Sequence, residues 1–152
     1  MSLTPRIDDI EAKASPSSVI EVDTSSGLGN MIRRYSNTTK NTGTAITKDD
    51  DSTYGTRFTI NEDGIYSITF SDSMGSGGVM GIARNGSHTS GMINVANADT
   101  LAMQDNPGGN ETSSCSWCGP LEAGDVISPN CSGVAHGVAN RCTFRIAQVV
   151  KL

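Results

Sequence analysis

The sequence is short of most of what builds a helical, nucleic-acid-binding or membrane-spanning protein. Charged residues make up 18% of its 152 positions and aromatic residues only 5%. The charges are spread thinly, without the Glu/Lys-rich patterning of surface helices. With a net charge of −5 there is no basic stripe of the kind a nucleic-acid module needs. The one basic doublet, Arg33-Arg34, reads as a solvated strand end. No apolar run approaches the ~20 residues of a membrane span. Met1 to Ile10 has neither the basic start nor the apolar stretch of a secretory signal, so synthesis and use without export is the expectation.

Ser, Thr, Asn and Gly, by contrast, supply roughly two-fifths of the chain. Such residues are poor helix formers, and their abundance favours short strands joined by turns. The length suits one domain with one core. Residues 1–30 differ in texture from the rest and are assigned to an N-terminal attachment arm, extended or short-helical, with the folded domain over residues 31–152. Thr4-Pro5 is a suitable N-cap and first helical position, and Leu3, Ile7, Ile10 and Ala14 then share one face. A helix this short needs a partner surface. Residues 14–18 and 24–30 resemble linkers, so the alternatives are a flexible tail and an arm docked on a neighbouring subunit.

Period-two alternation dominates from Met31 onward. Phe58 and Ile60 fall on one face of a strand over residues 56–60. Asn61-Glu62-Asp63-Gly64 makes a turn, and residues 65–71 resume with Tyr66, Ile68 and Phe70 aligned, a hairpin-like or corner connection. Residues 73–78 read as a Gly/Ser loop. Residues 79–84 form another strand, closed by the turn signal Asn85-Gly86. Further strands are expected over residues 91–95, 101–104, 112–118, 125–129 and 141–150. In the last, Phe144, Ile146, Gln148 and Val150 share a face. Eight or nine such strands make an all-β sandwich or jelly roll.

The order of these segments resembles the TNF-like jelly rolls, a group that includes the complement globular heads. The resemblance rests on Tyr54-Gly55-Thr56-Arg57-Phe58-Thr59-Ile60 followed by Gly64-Ile65-Tyr66-Ser67-Ile68-Thr69-Phe70, and on the Arg84-Asn85-Gly86 turn. It continues through Leu121-Glu122-Ala123-Gly124-Asp125-Val126-Ile127 to the closing Cys142-Thr143-Phe144-Arg145-Ile146. It spans about residues 31–152, although the closing strand lacks the family's Phe-x-Gly ending. The resemblance implies homotrimers that present loops to a partner, either in secreted signalling proteins or in bacteriophage virions. Without a signal or a collagen-like stalk, the virion setting is the expectation. The short arm points to a capsid decoration or cement protein, made in the host cytoplasm and partnered by itself and by the major capsid or another virion protein. The alternative is a receptor- or glycan-binding fibre tip using loops at residues 73–78 and 105–111.

Candidate chemistry is sparse, and no enzyme activity, cofactor, nucleic-acid partner or membrane partner is expected. Cys115-Ser116-Trp117-Cys118 has zinc-like spacing, but residues three apart on a strand face opposite sides. Cys131 and Cys142 are close enough in sequence for a disulfide, which a reducing cytosol opposes; the default is buried free thiols. His88 and His136 read as exposed loop residues, and no Gly-x-Ser-x-Gly elbow frames a serine nucleophile. Gly75-Ser76-Gly77-Gly78 lacks the Lys-Ser/Thr of a phosphate loop. Asp49-Asp50-Asp51 reads as a solvated loop, with a calcium site as the alternative. Met74, Met80, Met92 and Met103 are core or interface filler. Sequons at Asn37, Asn85, Asn110 and Asn130 matter only in a secreted eukaryotic protein. The lone Trp117 is the candidate anchor or interface contact, alongside Leu3, Ile7 and Ile10 of the arm.

Overall fold

The structure, a computed structural model, describes residues 18–28, 32–52, 55–85, 100–133, 135, 136, 138 and 140–152. All regular structure among them is strand: β1 (Ser18–Leu28), β2 (Ile32–Thr42), β3 (Ile46–Asp51), β4 (Gly55–Ile60), β5 (Gly64–Arg84), β6 (Thr100–Leu121), β7 (Val126–Cys131) and β8 (Thr143–Lys151). Every pairing is antiparallel, and the strands form two layers. The first runs β2-β1-β8-β5-β6 and uses residues 64–71 of β5; the second runs β3-β4-β7-β5-β6 and uses residues 80–84. A single bridge between Ile32 and Asn130 joins β2 to β7, so the layers close toward a barrel.

The β5–β6 hairpin is thus one long ribbon shared by both layers. It crosses at a bulge, where Met74 pairs with Glu111 and Ser76 with Gly108, leaving one extra residue on β6. Gly108, Gly109 and Asn110 all take positive φ there. A Cβ on Gly108 would lie 2.3 Å from the Gly77 nitrogen, so only glycine allows this approach. The segments read as loops at residues 73–78 and 105–111 are therefore strand. Their Gly/Ser/Asn content serves a bulged crossing, not an open turn. Asn61 to Gly64 is a corner between layers, since β4 pairs with β3 and β7 while β5 pairs with β8.

Alternation fixes the core. Tyr66, Ile68, Phe70 and Met74 of β5 point inward, as do Phe58 and Ile60 of β4, Ile20 and Val22 of β1, and Phe144 and Ile146 of β8. All three phenylalanines of the chain meet there. Phe58 of the second layer stacks on Phe144 of the first, with centroids 4.8 Å apart, and Phe70 tilts against Phe144 at 5.7 Å. Burial of a side chain this size contributes roughly 1.5–3 kcal/mol. The scarce aromatics are spent holding the layers together.

Polar locks complete the frame. Arg33 and Asp72 are both fully buried, and the guanidinium donates to Asp72 Oδ2 at 2.8 and 3.0 Å and to the Gly133 carbonyl at 2.9 Å. Arg33 is therefore an interior cation, not a solvated strand end, because Asp72 arrives opposite it from β5. Arg34 is half-buried and donates to the Asp51 carbonyl. At the opposite corner, Asp125 accepts from Arg84, from the Asn85 amide and from the Glu122 backbone N–H, while Asn85 accepts from the Val126 N–H. Asn85 holds φ 54 in this clamp.

One expectation at the N-terminus changes. Residues 18–28 are not arm or linker, because β1 pairs with both β2 and β8 inside the first layer. Val19, Ile20 and Val22 supply the burial that holds it there. Residues 1–17, with Leu3, Ile7, Ile10 and the expected helix, lie outside the described residues, as do the strand expected over residues 91–95, His88 and Met92. Asp49, Asp50 and Asp51 lie on β3, not in a loop, and alternate between faces; Asp50 is taken by Thr56 and Lys48. At the C-terminus Gln148 is buried with Phe144 and Ile146, but Val150 is 49% exposed. A register shift between Ile65 and Tyr66 moves it off the inner face.

Candidate assembly surface

The outer face of the first layer follows from register. Ser67 of β5 lies between Ala147 and Cys118, Thr69 between Arg145 and Ser116, and Ser71 between Thr143 and Ser114. Apart from Arg145, these side chains are small. The two ends of the face differ. At the C-terminal end of β8, Ile65 lies between Val150 and Pro120, with Val149 and Leu152 beside them. Val149, Val150 and Leu152 are 41%, 49% and 71% exposed. At the other end Arg145 Nε donates to Glu21 Oε1 at 3.0 Å, and Asp23 accepts from Asn37 and Thr24. Exposed aliphatic side chains gathered at one end of a sheet mark a contact surface more strongly than isolated ones.

The apolar end adjoins an open edge. β6 has β5 on one side and, among the described residues, no strand on the other. Its 22 residues carry two charges, Asp105 and Glu111. Natural edge strands are normally short, charged or covered, so an edge of this length and low charge invites another chain. Pro107 and Pro120 and the bulge at Gly108 limit simple strand addition and favour side-on packing. Met103, expected as filler, is 51% exposed on this edge, whereas Met74 and Met80 are core.

Trp117, the anchor candidate, is half-buried on the inner face of β6 and packs against the core. A Cβ at Gly119 would lie 2.6 Å from its ring, so the indole covers Gly119. It fastens β6 to the domain. The residues that sequence reasoning missed are Ile65, Pro120, Val149, Val150 and Leu152. The signal for them was the apolar Val149-Val150-x-Leu152 ending, of which period-two counting placed Val150 inside.

The remaining constellations are structural. Cys115 faces inward and Cys118 outward, as strand spacing requires, and Cys131 and Cys142 are buried; all four are free. Burial pushes the Cys115 thiol up to about 11 and the Cys131 thiol well above its usual range, which keeps both protonated and unreactive. No group of three or more His, Cys, Asp or Glu side chains among the described residues could hold a metal. His136 is exposed, yet its Nδ1 lies 3.1 Å from Ser73 Oγ. That hydroxyl also has the Asn110 carbonyl as an acceptor at 3.0 Å, which competes with the imidazole for its one proton. Of the sequons, Asn130 is buried and the Asn85 amide belongs to the corner clamp.

No family model and no curated protein sequence matches the chain. Solved structures do. GITRL from bushbaby superposes with a TM-score of 0.57 at 14% identity, over 91% of this chain and 97% of that one. GITRL from pika gives 0.55 at 12%, over 88% and 96%, and murine APRIL 0.54 at 18%, over 89% and 98%. The fold is a TNF-like jelly roll. In this TNF-like frame the quoted motifs acquire physical content. Asn85 and Asp125 are bonded to one another, Gly64 sits where a Cβ would lie 2.6 Å from the Val150 carbonyl, and Phe144 is the hub of the aromatic core.

Proposed function

We propose that this TNF-like domain is a structural binding module that works by self-assembly: a homotrimer decorating a bacteriophage capsid as a cement protein. The self-assembly rests on one observation, the aliphatic end of the first layer's outer face beside the long, sparsely charged β6 edge. Three copies are what the TNF-like resemblance implies. The virion setting is supported by the low charge and the absence of a nucleic-acid or membrane-helix signature in the sequence. Attachment is assigned to the segment before Ser18, which carries Leu3, Ile7 and Ile10, because Ser18–Leu28 of the expected arm is built into the sheet. A binding role in place of catalysis is supported by the raised pKa of the Cys115 and Cys131 thiols.

The experiment is co-sedimentation with capsids that lack the protein. The full chain is expected to pellet with capsids and raise their resistance to heat, and a chain starting at Ser18 is expected to trimerise but remain in the supernatant. Equal co-sedimentation of both forms, or of neither, contradicts the attachment.

A further inference from the structure

A concavity of about 410 Å³ opens at the polar end of the same outer face, within one protomer. Its size is that of a small-ligand site. Its lining carries more charged and hydroxyl-bearing side chains than such sites usually do. Glu21, Asp23 and Arg145 border it, together with Thr39, Thr69, Thr143 and Asn140, and the Thr39 hydroxyl donates to the Glu21 carbonyl at 3.2 Å. Val22 and Phe144, the other lining residues, turn their side chains into the core. Four elements contribute: β1, β2, β5 and β8, with Asn140 held at φ 68 in the turn before β8.

The chemistry of this lining narrows the ligand. No aromatic or aliphatic side chain is presented, which disfavours a lipid or an aromatic metabolite. Two carboxylates against one guanidinium repel an anion such as a phosphate or an acidic sugar. Arg145, bonded to Glu21, opposes a metal ion. What remains complementary is a neutral molecule with many hydroxyls, each able to donate to a carboxylate and accept from a threonine, amide or guanidinium. We propose that this cup binds a neutral saccharide of one or two residues. Arg145 lies five residues from Val150 along β8, about 17 Å at strand rise, so cup and aliphatic patch are separate. The proposal gives the binding module a ligand class but needs no trimer, and the two fail independently.

The test is an NMR titration of the assembled, isotope-labelled protein with galactose, glucose, N-acetylglucosamine and their disaccharides, with glucuronic acid as the anionic control. Saturable amide shifts confined to the neighbourhood of Thr39, Thr69, Asn140 and Thr143 are expected with at least one neutral sugar. The near-isosteric Thr69→Val/Thr143→Val variant, checked for an unchanged melting curve, is expected to weaken that binding about tenfold through loss of two hydrogen bonds. No shift with any neutral sugar, shifts elsewhere, tighter binding of glucuronic acid, or undiminished affinity in the double variant each overturns the proposal. A trimer with a silent titration leaves the assembly role standing and removes this one.

Discussion

Arg33→Met is the most informative single perturbation of the fold. The substitution roughly conserves volume but takes the Arg33 cation from the buried Asp72 carboxylate, which keeps the Ser25 hydroxyl at 3.3 Å and the Cys131 thiol at 3.5 Å. It also deprives the Gly133 carbonyl of its Arg33 donor. Removing one member of a buried pair costs about 3–5 kcal/mol. A domain typically has about 5–15 kcal/mol in all, so about a fifth or more of the stability is expected to go. Asp72→Leu alone leaves the buried guanidinium without its carboxylate and is expected to cost a similar amount. The double variant removes both charges and is expected to be less destabilised than the sum of the singles by about 2 kcal/mol or more. Urea unfolding followed by circular dichroism, at equal protomer concentration, measures all four corners of the cycle. Additive single effects, or a cost below about 1 kcal/mol for Arg33→Met as for an exposed arginine, would refute the assignment of this pair as an interior lock.

Two other outcomes follow from named groups. Burial pushes the Asp125 carboxyl up, but the Glu122 N–H, the Asn85 amide and the Arg84 guanidinium outweigh it and hold its pKa below the ordinary value. Its folded pKa lies below the unfolded one, so its stabilisation is full above the unfolded value of about 3.9 and is lost as pH falls through the folded value. The stability gap between wild type and Asp125→Asn is therefore expected to be largest near neutrality and to close in acid; a gap independent of pH contradicts the clamp. A thiol-reagent titration of native protein at neutral pH is expected to modify Cys118 first, with Cys131 and Cys142 reacting only on unfolding. Fast modification of either buried thiol contradicts their packing.

The parts of this fold that alternation could reveal were legible. Phe58 and Ile60, Tyr66, Ile68 and Phe70, and Phe144 and Ile146 all point inward as their spacing implies. Three kinds of information were not. The β5–β6 crossing hides behind Gly, Ser and Asn, which mark a bulged ribbon and an open loop equally well until the pairing of Ser76 with Gly108 is known. A buried ion pair has no local signature: Arg33 and Asp72 are 39 residues apart, and neither looks unlike a surface charge. A register shift of one residue at Ile65 sends Val150 outward against its period, and with it went the apolar end of the candidate surface. The polar cup is likewise a product of four elements and of no contiguous motif.

Static light scattering on the wild type and on Val150→Asp weighs the assembly claim most directly. Wild type is expected to run at three times the 15.9 kDa protomer mass, and the variant as a folded monomer with an unchanged circular dichroism spectrum. A monomeric wild type, or a trimer that tolerates a carboxylate at position 150, would contradict it.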